Sequence, residues 1–275
     1  MTSSEIFSIT TFVYFAAALL YTVALIFKKQ LPGKLATGAL GIAALGNLTG
    51  ILFRWAESHQ MGIGRAPLTS LYESLIFFSL ATAIIYLFVE FKYKLRVLGT
   101  IASLIPFLCM AYAALKLDNA IQPLIPALKS NWLIAHVMSC FIGYAAFTIA
   151  FGISIMFFIK SAGDARPSAI TSGIPALSIL DDLTHQMVTF GFLFLSIGII
   201  TGAVWANQAW GRYWGWDPKE TWSLVTWLIY ATLLHARLMR GWKGKKIAIL
   251  SFIGFLAMLF TYFGVNLLPG LHSYQ

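Results

Sequence analysis

The sequence has 275 residues, of which 59% are hydrophobic and 11% are charged, and its mean hydropathy is +0.79. Since soluble globular chains are close to a quarter charged, this composition excludes a soluble protein and indicates a polytopic membrane protein. The formal net charge of +9 does not predict a nucleic-acid partner, because the basic residues lie in short loops between apolar runs, where they set membrane orientation.

Eight apolar runs are long enough to cross a membrane, for which about 20 predominantly apolar residues are needed. They cover residues 6–27, 35–53, 71–91, 97–115, 132–159, 183–204, 222–239 and 247–267. No Lys or Arg precedes the first run, so we expect it to be a retained span rather than a cleaved signal. The runs predict an all-α, polytopic membrane protein with about eight transmembrane helices, forming a single integral membrane domain over residues 1–275.

The lysines and arginines are divided unequally between the two sets of loops. The loops on the side of the termini contain six of them, and the opposite loops contain thirteen. The positive-inside rule then predicts that both termini are extracytoplasmic, together with the tryptophan-rich segment 205–222.

Six of the nine tryptophans fall between Trp205 and Trp227, in this segment and at the beginning of the seventh span. An interfacial aromatic belt is one explanation, since Trp and Tyr favour the headgroup level of a membrane. The alternative is an aromatic platform for a flat ligand, because a belt would spread its rings over several span ends. Both interpretations stay open on chemistry alone, and the candidate platform residues are Trp210, Trp214 and Trp216.

Asp217 follows these tryptophans and has a structural interpretation of its own. Asp217 as N-cap, Pro218 at the first helical position and Glu220 together predict a capping box that begins the seventh span. This explains the three residues without a ligand, although a helix N-terminus beside Lys219 also suits a carboxylate.

Three histidines are candidate ligands of a haem iron. His136 lies near the beginning of the fifth span and His272 just beyond the eighth, so both are expected at the outer face, where they suit the two axial positions of one haem. A helix–helix hydrogen bond and an exposed tail residue are the alternatives. His235 is 18 residues beyond Asp217, about 27 Å along the helix. We expect a buried imidazole above a basic cluster there, and the alternative is a snorkelling or interfacial histidine beside basic residues. We interpret His59 and His185 as structural, with ion pairing to Asp181 and Asp182 or helix capping for the latter.

The residues at 210–220, Trp-Gly-Arg-Tyr-Trp-Gly-Trp-Asp-Pro-Lys-Glu, resemble the WWD signature of the haem-handling proteins of cytochrome c biogenesis. Two further strings, Pro-Leu-Thr-Ser-Leu-Tyr-Glu-Ser-Leu at 67–75 and Gly-Leu-His-Ser-Tyr at 270–274, resemble the CcsA/ResC-type subunit of the system II cytochrome c synthase. Eight spans fit this type, whereas a CcmC-type relative would have six and a CcmF type about twice as many. Where the family often has Gly-His-Phe before Pro-Leu, this chain has Gly64-Arg65-Ala66, which leaves the role of Arg65 open.

The resemblance implies that the chain binds haem b, which is both its ligand and its substrate, as part of a synthase complex. Haem would bind first at His235, and the second ligand of its iron would come from a CcsB/ResB-type partner subunit. It would then move outward to the tryptophan segment and meet the Cys-x-x-Cys-His motif of apocytochrome c, to which its vinyl groups become bonded. The implied haem-binding residues are His136, His235, His272, Trp210, Trp214, Trp216 and Asp217, with the three histidines on the iron.

The resemblance also implies in which membrane the protein lies, and it leaves alternative functions open. The membrane would be the bacterial plasma membrane, or the thylakoid membrane in a photosynthetic source, and a thiol-reducing, thioredoxin-like protein is a further expected partner. A haem exporter or chaperone without a part in bond formation would need the same ligands. A quinone-linked electron-transfer subunit would need paired histidines at two depths, and the sequence supplies one at the inner depth.

Overall fold

The computed structural model describes residues 2–163 and 171–268, which form eight α-helices. In chain order these are α1 (Ser3–Phe27), α2 (Gln30–Gln60), α3 (Leu71–Tyr93), α4 (Gly99–Lys116), α5 (Asn131–Gly163), α6 (Leu177–Trp210), α7 (Pro218–Arg240) and α8 (Lys245–Tyr262). Seven of the helices in this part of the chain are long and apolar enough to cross a membrane; in α7, Trp, Thr, His and Arg side chains interrupt the apolar run. The prediction of an all-α, polytopic membrane protein is thereby confirmed.

Two helices extend well beyond the apolar runs that predicted them. α2 has 31 residues and α6 has 34, so at 1.5 Å per residue they are about 46 and 51 Å long. The hydrocarbon core of a bilayer is only about 30 Å thick. Hydropathy marks where the apolar run ends, whereas backbone hydrogen bonding continues the helix. As a result Trp205 and Trp210 belong to α6, and the loop between α6 and α7 is shorter than the predicted segment 205–222.

The chain divides into two compact units. Of the described residues, the first contains α1 to α4 and residues 171–175, and the second contains α5 to α8 with the 3-10 turn at Pro126–Leu128. Composition does not shift at the boundary, so the sequence alone predicts one domain. The candidate site residues that the structure describes all belong to the second unit.

In the first unit, α1 packs on α2 and α4, and α3 packs on α4 and α2. A buried carboxylate, Glu90 on α3, joins three of these helices near one end of the unit. It accepts hydrogen bonds from the hydroxyls of Tyr21, at 2.5 Å, and Thr37, and Arg96 approaches its Oε1 at 3.2 Å. Each contact satisfies part of the charge that burial would otherwise leave uncompensated.

At the other end of the first unit, one carboxylate holds two arginines. Glu73 Oε1 lies 2.9 Å from Arg54 Nε and Oε2 lies 2.7 Å from Arg65 Nη1, with side-chain exposures of 1%, 2% and 6% respectively. Arg54 follows the apolar run 35–53 directly and is in α2, because that helix continues past its apolar run. Arg65, whose role the sequence leaves open, is a buried ion-pair partner. The string at 67–75 therefore includes the N-cap Ser70 and the central acid of this cluster.

In the second unit, α5 and α6 approach closely through glycines. A Cβ atom added to Gly143 of α5 would lie 3.0 Å from the carbonyl oxygen of Gly191 on α6, which is a spacing that only small residues permit. Phe147 of α5 fills the next layer and stacks on Tyr230 of α7, with ring centroids 3.6 Å apart and planes within 6°. These contacts fix the helices that support the candidate site.

Candidate functional site

His136 is held against α6 by a hydrogen bond to the main chain. Its Nδ1 lies 2.7 Å from the carbonyl oxygen of Gly198. A carbonyl oxygen only accepts, so Nδ1 carries the proton and Nε2 of the neutral ring carries the lone pair that can bind a metal. The helix–helix hydrogen bond expected as the structural explanation of His136 therefore exists, and it leaves the ring in a tautomer suited to ligation.

The His136 ring lies nearly parallel to the indole of Trp205. Their centroids are 6.0 Å apart and their planes differ by 18°. Trp205 is 3% exposed and donates from Nε1 to the carbonyl oxygen of Ala127 at 2.9 Å. Trp210 then meets Trp205 edge to face at 4.9 Å. The structure thus joins the candidate ligand His136 to the tryptophan segment through one buried ring.

Trp205 is absent from the predicted site residues, although the sequence carries a signal for it. Gly198, Gly202 and Trp205 are spaced by four and three residues, so they share one face of α6. His136 and Cys140 are four apart on α5 and face the same stripe. Two matching stripes of this kind predict contact between two helices, but only if the helices are known to pair.

The loop after α6 carries the remaining candidate tryptophans. α6 ends at the left-handed C-cap Gly211, and Trp214 and Trp216 form an edge-to-face pair with centroids 5.7 Å apart. Trp216 is 69% exposed, whereas the indole Nε1 of Trp214 is buried and has no hydrogen-bond partner among the described residues. A buried donor without an acceptor is costly in a folded protein, which indicates a position where an acceptor from another molecule would be stabilised.

Asp217 forms the predicted capping box. Its side chain accepts from the backbone N–H of Lys219 at 3.0 Å, and the Glu220 carboxylate accepts from the backbone N–H groups of Asp217, at 3.2 Å, and Gly215, at 2.6 Å. Asp217 is 7% exposed. The carboxylates of this box thus fix the end of the tryptophan loop to the first turn of α7.

His235 is exposed on the surface of this chain, contrary to the expected buried imidazole. The buried face of α7 contains Thr226, Tyr230 and Leu233. His235 is offset from that stripe and shares a face with Leu228 and Leu238, which are 50% and 70% exposed. Hydropathy predicts a position along the helix but does not determine which way the ring faces.

The structure describes two of the three remaining histidines, His59 and His185. His272 lies outside the described residues. His59 places Nδ1 2.9 Å from the carbonyl oxygen of Trp55, one turn earlier in α2. The expected ion pairing or helix capping of His185 is corrected, because the residue lies inside α6 rather than at its end and forms no ion pair among the described residues. Its Nδ1 is buried without a hydrogen-bond partner there.

The two aspartates near His185 are engaged by an arginine instead. The Arg237 Nη1 atom lies 2.6 Å from Asp181 Oδ2, and its Nη2 atom lies 2.8 Å from Asp182 Oδ1. Asp181 also accepts from the backbone N–H of Gly244 at 2.7 Å. Charge spacing along α6 alone could not reveal these partners, which come from α7 and the turn that follows it.

Comparison with known proteins gives a family for this arrangement. Residues 68–272 match the family described as cytochrome C assembly protein. The chain is 39% identical over 251 residues to the cytochrome c biogenesis protein CcsA of Synechococcus sp. (strain CC9902), with 82% of this chain and 81% of that protein covered. It is 37% identical to the CcsA protein of Trieres chinensis, with coverage of 100% and 96%, and 42% identical to that of Chlamydomonas reinhardtii, with coverage of 86% and 67%.

A solved structure supports the fold. The cytochrome c heme lyase CcmF superposes with a TM-score of 0.68 over 97% of this chain, at 17% sequence identity. This chain spans half the length of that protein, so the likeness concerns the fold alone. With a family match over residues 68–272 and relatives up to 42% identical, the chain belongs to the cytochrome c assembly protein family, as a CcsA-type subunit.

Proposed function

We propose that this protein acts in cytochrome c biogenesis by binding haem b, moving it across the membrane and presenting it for covalent attachment to apocytochrome c. The observation that carries the proposal is the environment of His136, a lone-pair nitrogen fixed by a hydrogen bond beside a buried tryptophan. The names of the relatives support the process, since each is a cytochrome c biogenesis protein.

The chemistry of the second unit fits a haem. His136 offers an imidazole nitrogen to the iron, and the aromatic segment offers rings that can pack against a porphyrin. The buried Nε1 of Trp214 offers a donor that a propionate or another acceptor of the ligand would satisfy. We propose Trp210 and Trp216 as further ring contacts. Asp217 contributes by fixing the loop to α7 through its capping box.

We propose His272 as the second axial ligand at this position. Attachment adds each Cys S–H of the apocytochrome across a haem vinyl double bond, so sulfur and hydrogen end on neighbouring carbons with no net oxidation. The thiols must be reduced, which gives the thiol-reducing, thioredoxin-like partner its purpose. The chain's contribution is to hold the haem in one orientation, because positioning is what such an addition requires.

We propose His235 as the ligand of an earlier haem position, completed by a CcsB/ResB-type subunit. Its exposure on α7 supports this, since a side chain that faces out of the chain can share a ligand with a second protein. The spacing of about 27 Å from Asp217 separates the two positions by most of a bilayer, so haem would travel outward between them. The membrane is proposed to be a bacterial plasma membrane or a thylakoid membrane.

Covalent haem on a reporter apocytochrome, produced together with this chain and its CcsB/ResB-type partner, tests the proposal. We expect the pair of substitutions His136→Ala and His272→Ala to abolish attachment, while His185→Ala and His59→Ala serve as matched histidine controls and retain it. Attachment at the normal level in the double variant would remove the two-histidine assignment. Haem that accumulates outside without attachment in the wild type would favour an exporter or chaperone instead.

A further inference from the structure

Two glycines of α6 form the wall against which His136 packs. A Cβ atom at Gly202 would lie 2.6 Å from His136 Nδ1 and 2.8 Å from its Cε1, closer than real contacts allow. A Cβ atom at Gly198 would lie 2.5 Å from the Sγ atom of Cys140, one turn after His136 on α5. Hydrogen in place of a side chain at both positions therefore creates a notch in α6, which the His136 imidazole occupies at Gly202 and the Cys140 side chain occupies at Gly198.

The notch presents a main-chain acceptor to the ring. A histidine at a helix–helix contact would usually meet side chains, but here the Gly198 carbonyl oxygen reaches Nδ1 at 2.7 Å. Cys140 Sγ is 3.6 Å from the same nitrogen and is at most a weak partner. The carbonyl thus determines the tautomer, and Nε2 is the nitrogen that carries the lone pair.

Trp205 determines the plane of the ring. The indole is one turn beyond Gly202 on the same face of α6, and its plane is within 18° of the imidazole. The Trp205 indole is itself fixed, because its Nε1 donates to the Ala127 carbonyl oxygen at 2.9 Å. The imidazole is thus held by the carbonyl at Nδ1, by the notch behind it and by the indole face.

We propose that the Gly198–Gly202 notch, defined by these two residues and the Gly198 carbonyl, is the positioning device that selects Nε2 of His136 as the haem ligand and fixes the angle of its ring. The notch acts through His136 and does not itself contact the reacting groups. The inference rests on the proposed function, because it assigns a role in presenting His136 to haem. A carbonyl that orients a ligating histidine through its other nitrogen is a recurring arrangement, and its loss typically weakens metal affinity by 10- to 100-fold.

The test compares two substitutions of equal size on one helix. Gly202→Ala pushes a methyl group into the His136 ring. Gly191→Ala is the control of equal size, since its Cβ would lie 2.6 Å from the Phe147 ring and 3.0 Å from the Gly143 carbonyl oxygen, and these nearest neighbours include no histidine. Because the control crowds the contact between α5 and α6 at least as much as Gly202→Ala does, a loss confined to Gly202→Ala is not a general loss of packing.

In the protein purified with its partner, we expect Gly202→Ala to weaken haem retention at the His136 position by roughly tenfold or more. Added imidazole should restore the bis-imidazole absorption spectrum, because it replaces a ligand that is present but misplaced. Gly191→Ala should retain the wild-type spectrum without imidazole. The positioning role is refuted if Gly202→Ala and Gly191→Ala retain haem equally while His136→Ala loses it.

A second readout needs no haem. Nitrogen magnetic resonance of the ¹⁵N-histidine-labelled, haem-free protein should show His136 as a single tautomer with the proton on Nδ1, assigned by its absence in His136→Ala. In Gly202→Ala this signal should broaden or divide between the two tautomers, and in Gly191→Ala it should not. A single Nδ1–H signal in the wild type, Gly202→Ala and Gly191→Ala would contradict the positioning role of the notch. If instead the tautomer changes as expected while His136→Ala binds haem normally, the notch exists but the proposed haem ligand is wrong.

Discussion

Trp216 adopts a left-handed backbone conformation, with φ at 57°, which is unfavourable for a side chain of its size. Lys28 and Lys94, also with positive φ, are C-caps where a helix ends and this conformation is common. Trp216 instead lies between a glycine and the N-cap Asp217, inside the aromatic loop. A backbone cost of about 1–2 kcal/mol at such a position is typical of a side chain that is retained for a binding role.

This strain leads to a prediction for Trp216→Gly. Glycine tolerates positive φ, so we expect the unfolding temperature of the variant to equal that of the wild type or to be higher. The gain in the free energy of unfolding should be about 1 kcal/mol or less. Haem retained after purification should fall, because the exposed indole is lost. Trp216→Phe, which keeps a ring, is the intermediate case. If the glycine variant keeps its full haem content, the loop is a membrane anchor and Trp216 is not part of a platform.

Glu73 is a second residue whose substitution gives a prediction, in this case for the stability of the first unit. Glu73→Gln removes the negative charge that pairs with the buried guanidinium groups of Arg54 and Arg65. Breaking such a buried pair costs about 3–5 kcal/mol. The control is Arg96→Gln, whose partner Glu90 is buried but whose own side chain is 41% exposed, so the cost should be clearly smaller. Chemical unfolding in detergent measures both. Equal unfolding midpoints would show that the cluster of Arg54, Glu73 and Arg65 contributes little to stability.

At the scale of an element, α7 has two faces with different purposes. One face packs inside the second unit, where Tyr230 stacks on Phe147 and Trp227 Nε1 donates to Ser196 at 2.9 Å. The other face carries His235 with exposed apolar side chains. A helix of this kind needs a partner on its exposed side, either lipid or protein, and the histidine favours protein.

We therefore expect His235→Ala and Tyr230→Ala to differ in their effect on the stability of the chain. His235→Ala removes an exposed side chain, so the free energy of unfolding of the isolated chain should change by no more than about 0.5 kcal/mol. Tyr230→Ala leaves a cavity beside Phe147 and should cost about 3–5 kcal/mol. Haem content of the complex with the CcsB/ResB-type subunit should fall in His235→Ala. A large loss of stability in His235→Ala would place the ring inside the chain.

The orientation of α7 also gives a direct test. With thirteen basic residues against six in the two sets of loops, the tryptophan loop is expected to be extracytoplasmic. A reporter fused after Lys219 should therefore score as extracytoplasmic, and one fused after Lys243 should score as cytoplasmic. The reverse pattern would overturn the proposed direction of haem movement.

Sequence patterns predicted the elements better than their contacts. Apolar runs identified the helices, and the capping box predicted at Asp217 is formed at the beginning of α7. The ends of α2 and α6 were missed, because a helix continues where hydropathy has already ended. The Gly198 partner of His136, the buried Trp205 and the ion pair of Arg65 were also missed, since each depends on which segments pack together. That information is not contained in the local spacing of residues.

At the scale of the whole molecule, the chain offers two histidine positions with different surroundings. His136 is packed between helices, fixed in one tautomer and joined to the tryptophan segment. His235 is about 27 Å along α7 from the start of that helix and is exposed on the surface of the chain. A carrier that accepts haem from one side and offers it on the other needs two such positions, one open to a partner and one rigid. This arrangement suits a CcsA-type subunit that acts with a second membrane protein.

The absorption spectrum of the purified complex with the CcsB/ResB-type subunit, in oxidised and reduced forms, tests whether His136 is a ligand of the haem iron. The wild type should carry haem with a low-spin, bis-imidazole spectrum. His136→Ala should lose the part of that spectrum that belongs to the outer position and regain it when imidazole is added, because the vacant axial site accepts the free ligand. A His136→Ala complex with the same haem content and spectrum as the wild type, with or without imidazole, would contradict the account.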